Sequence, residues 1–151
     1  NDALELGLAI AEEMDNPSGG PGILRRYARS VYHALVAEPD SQLAVLEEFV
    51  AYGDVSLDLQ EKQHLLERAR FELAEIYLAA GRPLDALRTW EVVTTKHPDG
   101  RFPAEALARR GDLLRELGRA AEAERVWRLL LAQYPDYLFI ADVRDELRSL
   151  P

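Results

Sequence analysis

The residue types best suited to chemistry are three histidines and several acidic pairs, and they are scattered along the chain. Glu61 and His64 stand three residues apart, the helical spacing that carboxylate-bridged di-iron sites use. Such a site needs two motifs of this kind and two further glutamates on facing helices, and the sequence has one motif. We therefore interpret His64 as part of an exposed polar helix face and His97 as a packing residue.

The remaining candidates for catalysis do not form a constellation. The pairs Glu12-Glu13 and Glu47-Glu48 are neighbours in sequence, so their side chains point about 100° apart on a helix and do not converge. The glycine-rich stretch 16–22 lacks the Gly-Lys-Ser/Thr ending of a phosphate-binding loop. The chain has no cysteine and no Gly-x-Ser-x-Gly sequence. We predict no catalytic residue, no metal site and no cofactor, and we expect a protein that is not an enzyme.

The charge excludes some partners. The net charge is −9, which argues against binding to nucleic acid or to an anionic membrane surface. Residues 1–56 carry 10 acidic and 3 basic side chains, whereas residues 57–151 carry 17 and 15. The acidic N-terminal part is interpreted either as a solvated surface or as a face for a basic partner. The sequence has no 18-residue apolar run, so we expect no direct membrane insertion.

Apolar residues recur at helical spacing throughout, and no segment alternates long enough to predict a strand. Asp40 or Ser41 is a suitable cap for one of the helices, Gly53 a suitable exit from it, and Ser56 a suitable start for a long helix that ends near Ala80. The predicted helices cover residues 3–14, 23–37, 42–52, 56–80, 83–97, 102–117, 120–134 and 137–149.

One pattern occurs twice at an offset of 37 residues, and it organises the second half of the chain. A small residue is followed at fixed spacings by a Tyr or Leu, a Gly, an Ala, a Trp and a Pro. A fixed period in this range is the sequence sign of a helical solenoid. The two copies are Ala74, Tyr77, Gly81, Ala86, Trp90 and Pro98, and then Gly111, Leu114, Gly118, Ala123, Trp127 and Pro135.

This pattern resembles the tetratricopeptide repeat. The resemblance implies an all-α, right-handed solenoid of helix hairpins that serves as a scaffold or adaptor for protein–protein interaction. In each copy the small residue allows two helices to cross closely, and the tryptophan fills the space between them. Gly81 and Gly118 should end the first helix in a left-handed conformation, and Pro98 and Pro135 should stop the second helix.

The period and the junctions resemble one subtype of the family. His97-Pro98-Asp99 and Tyr134-Pro135-Asp136 are similar to junctions in bacterial outer-membrane assembly lipoproteins and in the coordinator of the Tol–Pal system. This resemblance implies a role in a bacterial envelope assembly and favours the periplasm over the cytoplasm. The alternatives are a cytoplasmic interaction or regulatory module of a larger protein, or a subunit that assembles with itself.

The repeats also suggest a division of the chain. Residues 57–151 are predicted to contain repeat units at about 67–103 and 104–140, with a capping helix at 137–149. Residues 1–56 are interpreted either as degenerate repeats or as a separate acidic cap.

The family binds partner segments on the concave surface formed by the first helices of successive repeats. Phe71 and Glu75 stand where chaperone-binding members carry part of a clamp for a C-terminal carboxylate, so this sequence disfavours that ligand. Phe71 and Leu78 have an alternative role, which is packing against the N-terminal helices. Most charged groove positions are acidic, which favours a partner with Lys or Arg. The positions that the resemblance places in the groove are Arg68, Phe71, Glu75, Leu78, Glu105, Ala108, Asp112, Arg115, Asp142 and Asp145.

Overall fold

The computed structural model describes residues 27, 30–32, 39–55 and 63–149, and every regular element in them is helical, without a strand. The predicted all-α fold class is confirmed. The predicted helix 3–14, the glycine-rich stretch 16–22, His33 and the predicted helix start at Ser56 lie outside the described residues. The helices are α1 (Pro39–Val55), α2 (Gln63–Ala79), α3 (Pro83–Lys96), α4 (Pro103–Glu116), α5 (Ala120–Gln133) and α6 (Ile140–Ser149).

The chain divides into two compact units, Asn1–Gln60 and Glu61–Pro151. In the first unit the ring centroids of Tyr27 and Phe49 lie 5.5 Å apart, and Phe49 is fully buried on α1. The Ser30 hydroxyl donates a hydrogen bond of 2.7 Å to the Tyr27 carbonyl. Whether this unit is a degenerate repeat or a cap stays a prediction.

Helix α1 is longer than predicted at both ends. It begins at Pro39 rather than after a cap at Asp40 or Ser41, because proline lacks an N–H that the first helical turn would leave unpaired in any case. Its last residue is Val55, so Gly53 is a buried residue within the helix and not its exit. A proline can end one helix and begin the next, and the sequence pattern alone did not distinguish these roles.

In the second unit, helices adjacent in sequence pack against each other from α2 to α6. Two helix hairpins result, α2 with α3 and α4 with α5, and they share one continuous hydrophobic core. Trp90 and Trp127 are fully buried in that core, together with Ala86 and Ala123 from the same helices. Both tryptophans thus lie between packed helices, as a residue that fills the space between them would.

The turns inside the two hairpins have the same geometry. Gly81 and Gly118 adopt φ angles of 72° and 73°, the left-handed conformation in which glycine has no Cβ penalty. The N–H of Arg82 donates to the Tyr77 carbonyl at 2.8 Å, and that of Arg119 donates to the Leu114 carbonyl at 2.8 Å. These bonds satisfy carbonyls that the helix ends would leave unpaired.

The second helix of each hairpin ends two residues before its proline. Helices α3 and α5 end at Lys96 and Gln133, and Pro98 and Pro135 follow in turns. His97 is buried, as expected for a packing residue. The Tyr134 hydroxyl donates a hydrogen bond of 2.6 Å to the Pro98 carbonyl, which ties the two junctions together.

Helix α6 covers the end of the second hairpin. It begins at Ile140 rather than at residue 137, because residues 134–139 form turns around Pro135. Val143 is buried and Leu147 is partly buried against the core, whereas Arg144 and Arg148 are exposed. A charged outer face is what a terminal solenoid helix needs for solubility. None of the helices in the described ranges is both long and apolar enough to cross a bilayer.

Candidate functional site

The predicted groove residues lie on α2, α4 and α6, and we call the face that they share the inner surface. Phe71 was predicted to line the groove, and its burial removes it from that surface. Its ring is 9% exposed and stacks on Phe102 with centroids 4.9 Å apart. The contact is made within the repeat unit, so Phe71 belongs to the core there. Leu78 is 36% exposed and is available at the surface.

Several charged residues of the inner surface are held in ion pairs. Arg109 lies 3.7 Å from Glu75 on the neighbouring helix and 3.7 Å from Glu105 on its own helix. Arg115 pairs with Glu146 and so links α4 to α6. At the two edges of the surface, the pairs Arg68–Glu72 and Asp145–Arg148 form along single helices.

Between α4 and α6 the inner surface contains an open hollow of about 260 Å³, which we call the acidic hollow. It brings together four of the residues predicted from the sequence, Glu105, Ala108, Asp112 and Asp142. Arg68, Phe71, Glu75, Leu78, Arg115 and Asp145 are not part of its lining. The other side chains that line it are Arg109, Tyr137, Phe139, Val143 and Glu146.

One of the differences between the two repeats accounts for the space in the acidic hollow. In the first repeat, Phe71 fills the corresponding place and stacks on Phe102. At an offset of 37 residues these become Ala108 and Phe139, so a methyl group replaces the ring. Phe139 consequently remains 54% exposed, and its ring meets Tyr137 edge-on at 5.8 Å.

The acidic hollow carries negative charge that neighbouring cations neutralise only in part. Asp112 and Asp142 form no ion pair within the part of the chain that the structure describes. Burial raises the pKa of the Asp112 carboxyl above its ordinary value, and the nearby Arg115 only partly opposes this. Burial, followed by the charge of Glu105, also raises the pKa of Tyr137. A positively charged group in this hollow would meet a favourable potential.

Glu75 occupies the position equivalent to Asp112 in the first repeat. Burial raises the pKa of its carboxyl, Arg109 opposes the shift, and Glu105 adds to it. The inner surface thus holds partly desolvated carboxylates in both repeats, although only the second repeat has a hollow around one.

A larger hollow of about 570 Å³ lies among α3, α4 and α5, and we call it the arginine hollow. Glu91 and Glu122 belong to its lining and pair with Arg110 and Arg119 at 3.2 and 2.7 Å. Two of its four arginines are therefore compensated by acids of the same lining. Its lining consists of Leu84, Leu87, Arg88, Glu91, Arg110, Leu114, Arg119, Glu122, Arg125 and Val126.

Sequence reasoning missed a buried polar cluster at the first junction. Arg70 is 1% exposed, and its guanidinium contacts the His97 imidazole. Glu67 is also buried, and its carboxylate accepts a hydrogen bond of 2.7 Å from the Phe102 N–H. The signal was available, since Arg70 stands 37 residues before Leu107, a fully buried core residue.

This cluster positions the chain between the hairpins. A Cβ on Gly100 would overlap the Glu67 carboxylate, so this turn requires glycine for close approach. The cluster lies under the turn and contributes no accessible chemistry. No group of three histidine, aspartate or glutamate side chains that could hold a metal ion occurs in the described ranges.

Comparison with known families agrees with the geometry. Residues 68–100 and 105–137 each match the family model described as tetratricopeptide repeat. The comparison with curated proteins and the comparison with solved structures each give no match. The two hairpins of the second unit thus match two adjacent tetratricopeptide repeats and form a helical repeat fold. Tetratricopeptide repeats generally mediate protein–protein interaction.

Proposed function

We propose that the protein is a non-catalytic scaffold or adaptor that binds a segment of a partner protein on its inner surface. The matched repeats support binding as the class of function. Accessible aspartates that lack ion-pair partners in the described ranges lie on the inner surface, which supports this surface as the place where the partner binds. α4 and α6 enclose the acidic hollow on that surface.

The acidic hollow is the observation that carries this proposal. The exposed side chains around a packed helix pair are normally solvated individually, and concave sites with convergent polar groups are the usual places for ligands. Here two unpaired aspartates, Asp112 and Asp142, converge with an exposed aromatic ring, Phe139, in one concavity. The fold does not need any of these three side chains for its core.

The charge supports a partner segment that carries lysine or arginine. Asp112, Asp142 and Glu105 face the hollow, and Arg109 is the cation in its lining. Complementary charge of this kind increases association rates and discriminates against acidic partners. Association should therefore weaken as the salt concentration rises, because exposed charges are screened over about 10 Å at 0.1 M salt.

Partner capture from a lysate of the source cells tests this proposal. The wild-type protein would be compared with a Glu75→Arg/Asp112→Arg variant, which reverses the charge of the inner surface. The matched control is Glu91→Arg/Glu124→Arg, which changes the net charge equally on α3 and α5 and likewise disrupts existing ion pairs. We expect a protein captured by the wild type and the control but not by the inner-surface variant. Equal capture by all three proteins would contradict the proposal.

A narrower hypothesis places this interaction in a bacterial envelope assembly. It rests on the 37-residue period and on the two His/Tyr-Pro-Asp junctions. A cytoplasmic interaction module and a self-assembling subunit are the alternatives. Fractionation of source cells into envelope and soluble parts, followed by detection of the full-length protein, distinguishes the first two. Light scattering over a concentration series tests self-assembly, for which a strict monomer would be the negative result.

A further inference from the structure

We propose that the acidic hollow is an anchoring subsite for a single arginine side chain of the partner segment. This inference rests on the proposed function, since it names the side chain that the same surface recognises. It concerns the second repeat alone, because Phe71 and Phe102 occupy the equivalent place in the first repeat.

The size of the hollow fits one long side chain. Sites for small-molecule ligands and cofactors usually have volumes of about 300–1,000 Å³, and this hollow has a volume of about 260 Å³ and is open on one side. Ala108 and Val143 supply apolar surface, against which the methylene groups of an arginine or lysine can pack. A folded helix or a bulky cofactor would not be accommodated.

The charge distribution favours a cation at a defined place. Glu105 shares Arg109 with Glu75, and Glu146 pairs with Arg115, so these acids are already compensated. Asp112 and Asp142 stand on facing helices without such partners in the described ranges. A guanidinium between α4 and α6 would supply the missing counter-charge to both carboxylates.

The aromatic wall favours arginine over lysine. Tyr137 and Phe139 line the hollow and meet edge-on, which leaves ring faces available beside the carboxylates. A planar guanidinium can stack on such a face and donate hydrogen bonds to a carboxylate at the same time, whereas an ammonium is a strongly hydrated point charge. The combination of an apolar base, an aromatic wall and unpaired acids therefore discriminates among side chains and does not merely attract positive charge.

Nuclear magnetic resonance titration with three small probes tests the subsite without knowledge of the partner. The probes are Nα-acetyl-arginine amide, Nα-acetyl-lysine amide and Nα-acetyl-norleucine amide, which present a guanidinium, an ammonium and no charge. For the arginine probe we expect saturable shifts in α4, α6 and residues 137–139, with a Kd of about 1 mM, a reasonable affinity for a ligand of this size. Lysine should bind several-fold more weakly, and norleucine should not saturate.

Three variants of the full chain separate the effect of the hollow's shape on probe binding from the effect of its charge. Ala108→Phe fills the hollow as Phe71 does in the first repeat and leaves the charge unchanged. Asp112→Asn keeps the shape and removes a charge, and it should weaken the arginine probe about tenfold, the effect of losing a charged hydrogen bond. Glu124→Gln is the control, since it removes one charge from α5, outside the inner surface. Circular dichroism melting verifies that each variant is folded.

The outcomes are distinct. Loss of arginine binding in Ala108→Phe and Asp112→Asn, with binding retained in Glu124→Gln, supports the subsite. Equal binding of norleucine, equal loss in Glu124→Gln, or no saturable shift with any probe overturns it. If Ala108→Phe does not fold, the comparison of Asp112→Asn with Glu124→Gln still decides between these outcomes. Partner capture that depends on Glu75 and Asp112 while the arginine probe fails would refute the subsite and leave the proposed function standing.

Discussion

The two repeats have nearly the same backbone and different inner surfaces. Gly81 and Gly118 differ by 1° in φ, and the bonds that close the two turns have equal lengths of 2.8 Å. On the inner surface, however, Phe71 corresponds to the much smaller Ala108, and Leu78 corresponds to Arg115. The residues that build each hairpin recur in both repeats, whereas these residues on the inner surface differ.

This difference separates residues that build the fold from residues available for binding. Turn glycines and inter-helix tryptophans are fixed by backbone conformation and packing, so both copies retain them. The inner-surface position occupied by Phe71 in one repeat and Ala108 in the other has no such constraint once a hairpin is formed. The first repeat uses it for core packing, and the second repeat uses it to open the acidic hollow.

The largest expected effect follows from removing an inter-helix tryptophan. Trp90→Ala and Trp127→Ala should each lower the free energy of unfolding by about 3–5 kcal/mol, because each indole is fully buried. That is a large share of the 5–15 kcal/mol that stabilises a typical domain. Urea denaturation of both variants measures the effect. An unchanged unfolding midpoint in either variant would mean that the two repeats are not built alike.

A smaller effect is expected where the repeats differ. Phe71→Ala should lower the free energy of unfolding by about 3 kcal/mol, because the buried ring loses its stacking on Phe102. Ala108→Phe, the reciprocal change, should alter it by less than about 1 kcal/mol because the added ring enters an open hollow. Parallel urea titrations compare the two. Similar losses in both variants would refute the assignment of the Phe71 ring to the core and of Ala108 to the lining of an unfilled hollow.

The helix crossing gives a third comparison, between Ala74 and Gly111. A Cβ on Gly111 would overlap the Trp127 indole, so Gly111→Ala should be destabilising by about 1 kcal/mol, although alanine has the higher helix propensity. Ala74→Gly should also be destabilising, by about 1–2 kcal/mol, through lower helix propensity and the loss of a buried methyl group. Denaturation of each variant provides the measurement. A stabilised Gly111→Ala variant would show that α4 and α5 are less closely packed.

The smallest expected effect is on pH dependence. Burial raises the pKa values of Glu75 and Asp112 above their ordinary values of 4.5 and 3.8. The folded state therefore binds more protons than the unfolded state as these groups titrate, and their contribution to stability falls as the pH rises through that range. Glu75→Gln and Asp112→Asn should remove part of this decline. Unfolding free energies between pH 3.5 and 7 test it, and an unchanged slope in both variants would contradict the shifts.

The repeat pattern predicted much of the second unit because its signals are local. Glycine in a left-handed turn and proline after a helix follow from the backbone properties of single residues, so the helix ends fell within a few residues of prediction. The largest difference in this unit was the start of α6 at Ile140, and in the first unit it was the start of α1 at Pro39. A proline is compatible with either side of a helix boundary, and the turns after Pro135 delay the helix.

The candidate site was only partly predictable. The resemblance to the family implied that Glu105, Ala108, Asp112 and Asp142 share one surface, and the structure brings them to one hollow. The resemblance did not reveal the hollow itself, which depends on the small side chain of Ala108 and on the exposed ring of Phe139. The buried Arg70–His97 contact was missed for a related reason, since charged residues are assigned to the surface unless a partner distant in sequence is known.

Site-specific photo-crosslinking tests the central claim most directly. A photoreactive phenylalanine would replace Phe139 at the acidic hollow or Leu84 at the arginine hollow, two positions with matched exposures of 54% and 53%. In the source cells we predict a crosslinked partner from position 139 and none from position 84, with the adduct lost when Asp112→Arg is added. A partner that crosslinks from position 84 and not from position 139 would show that the protein binds through its other face.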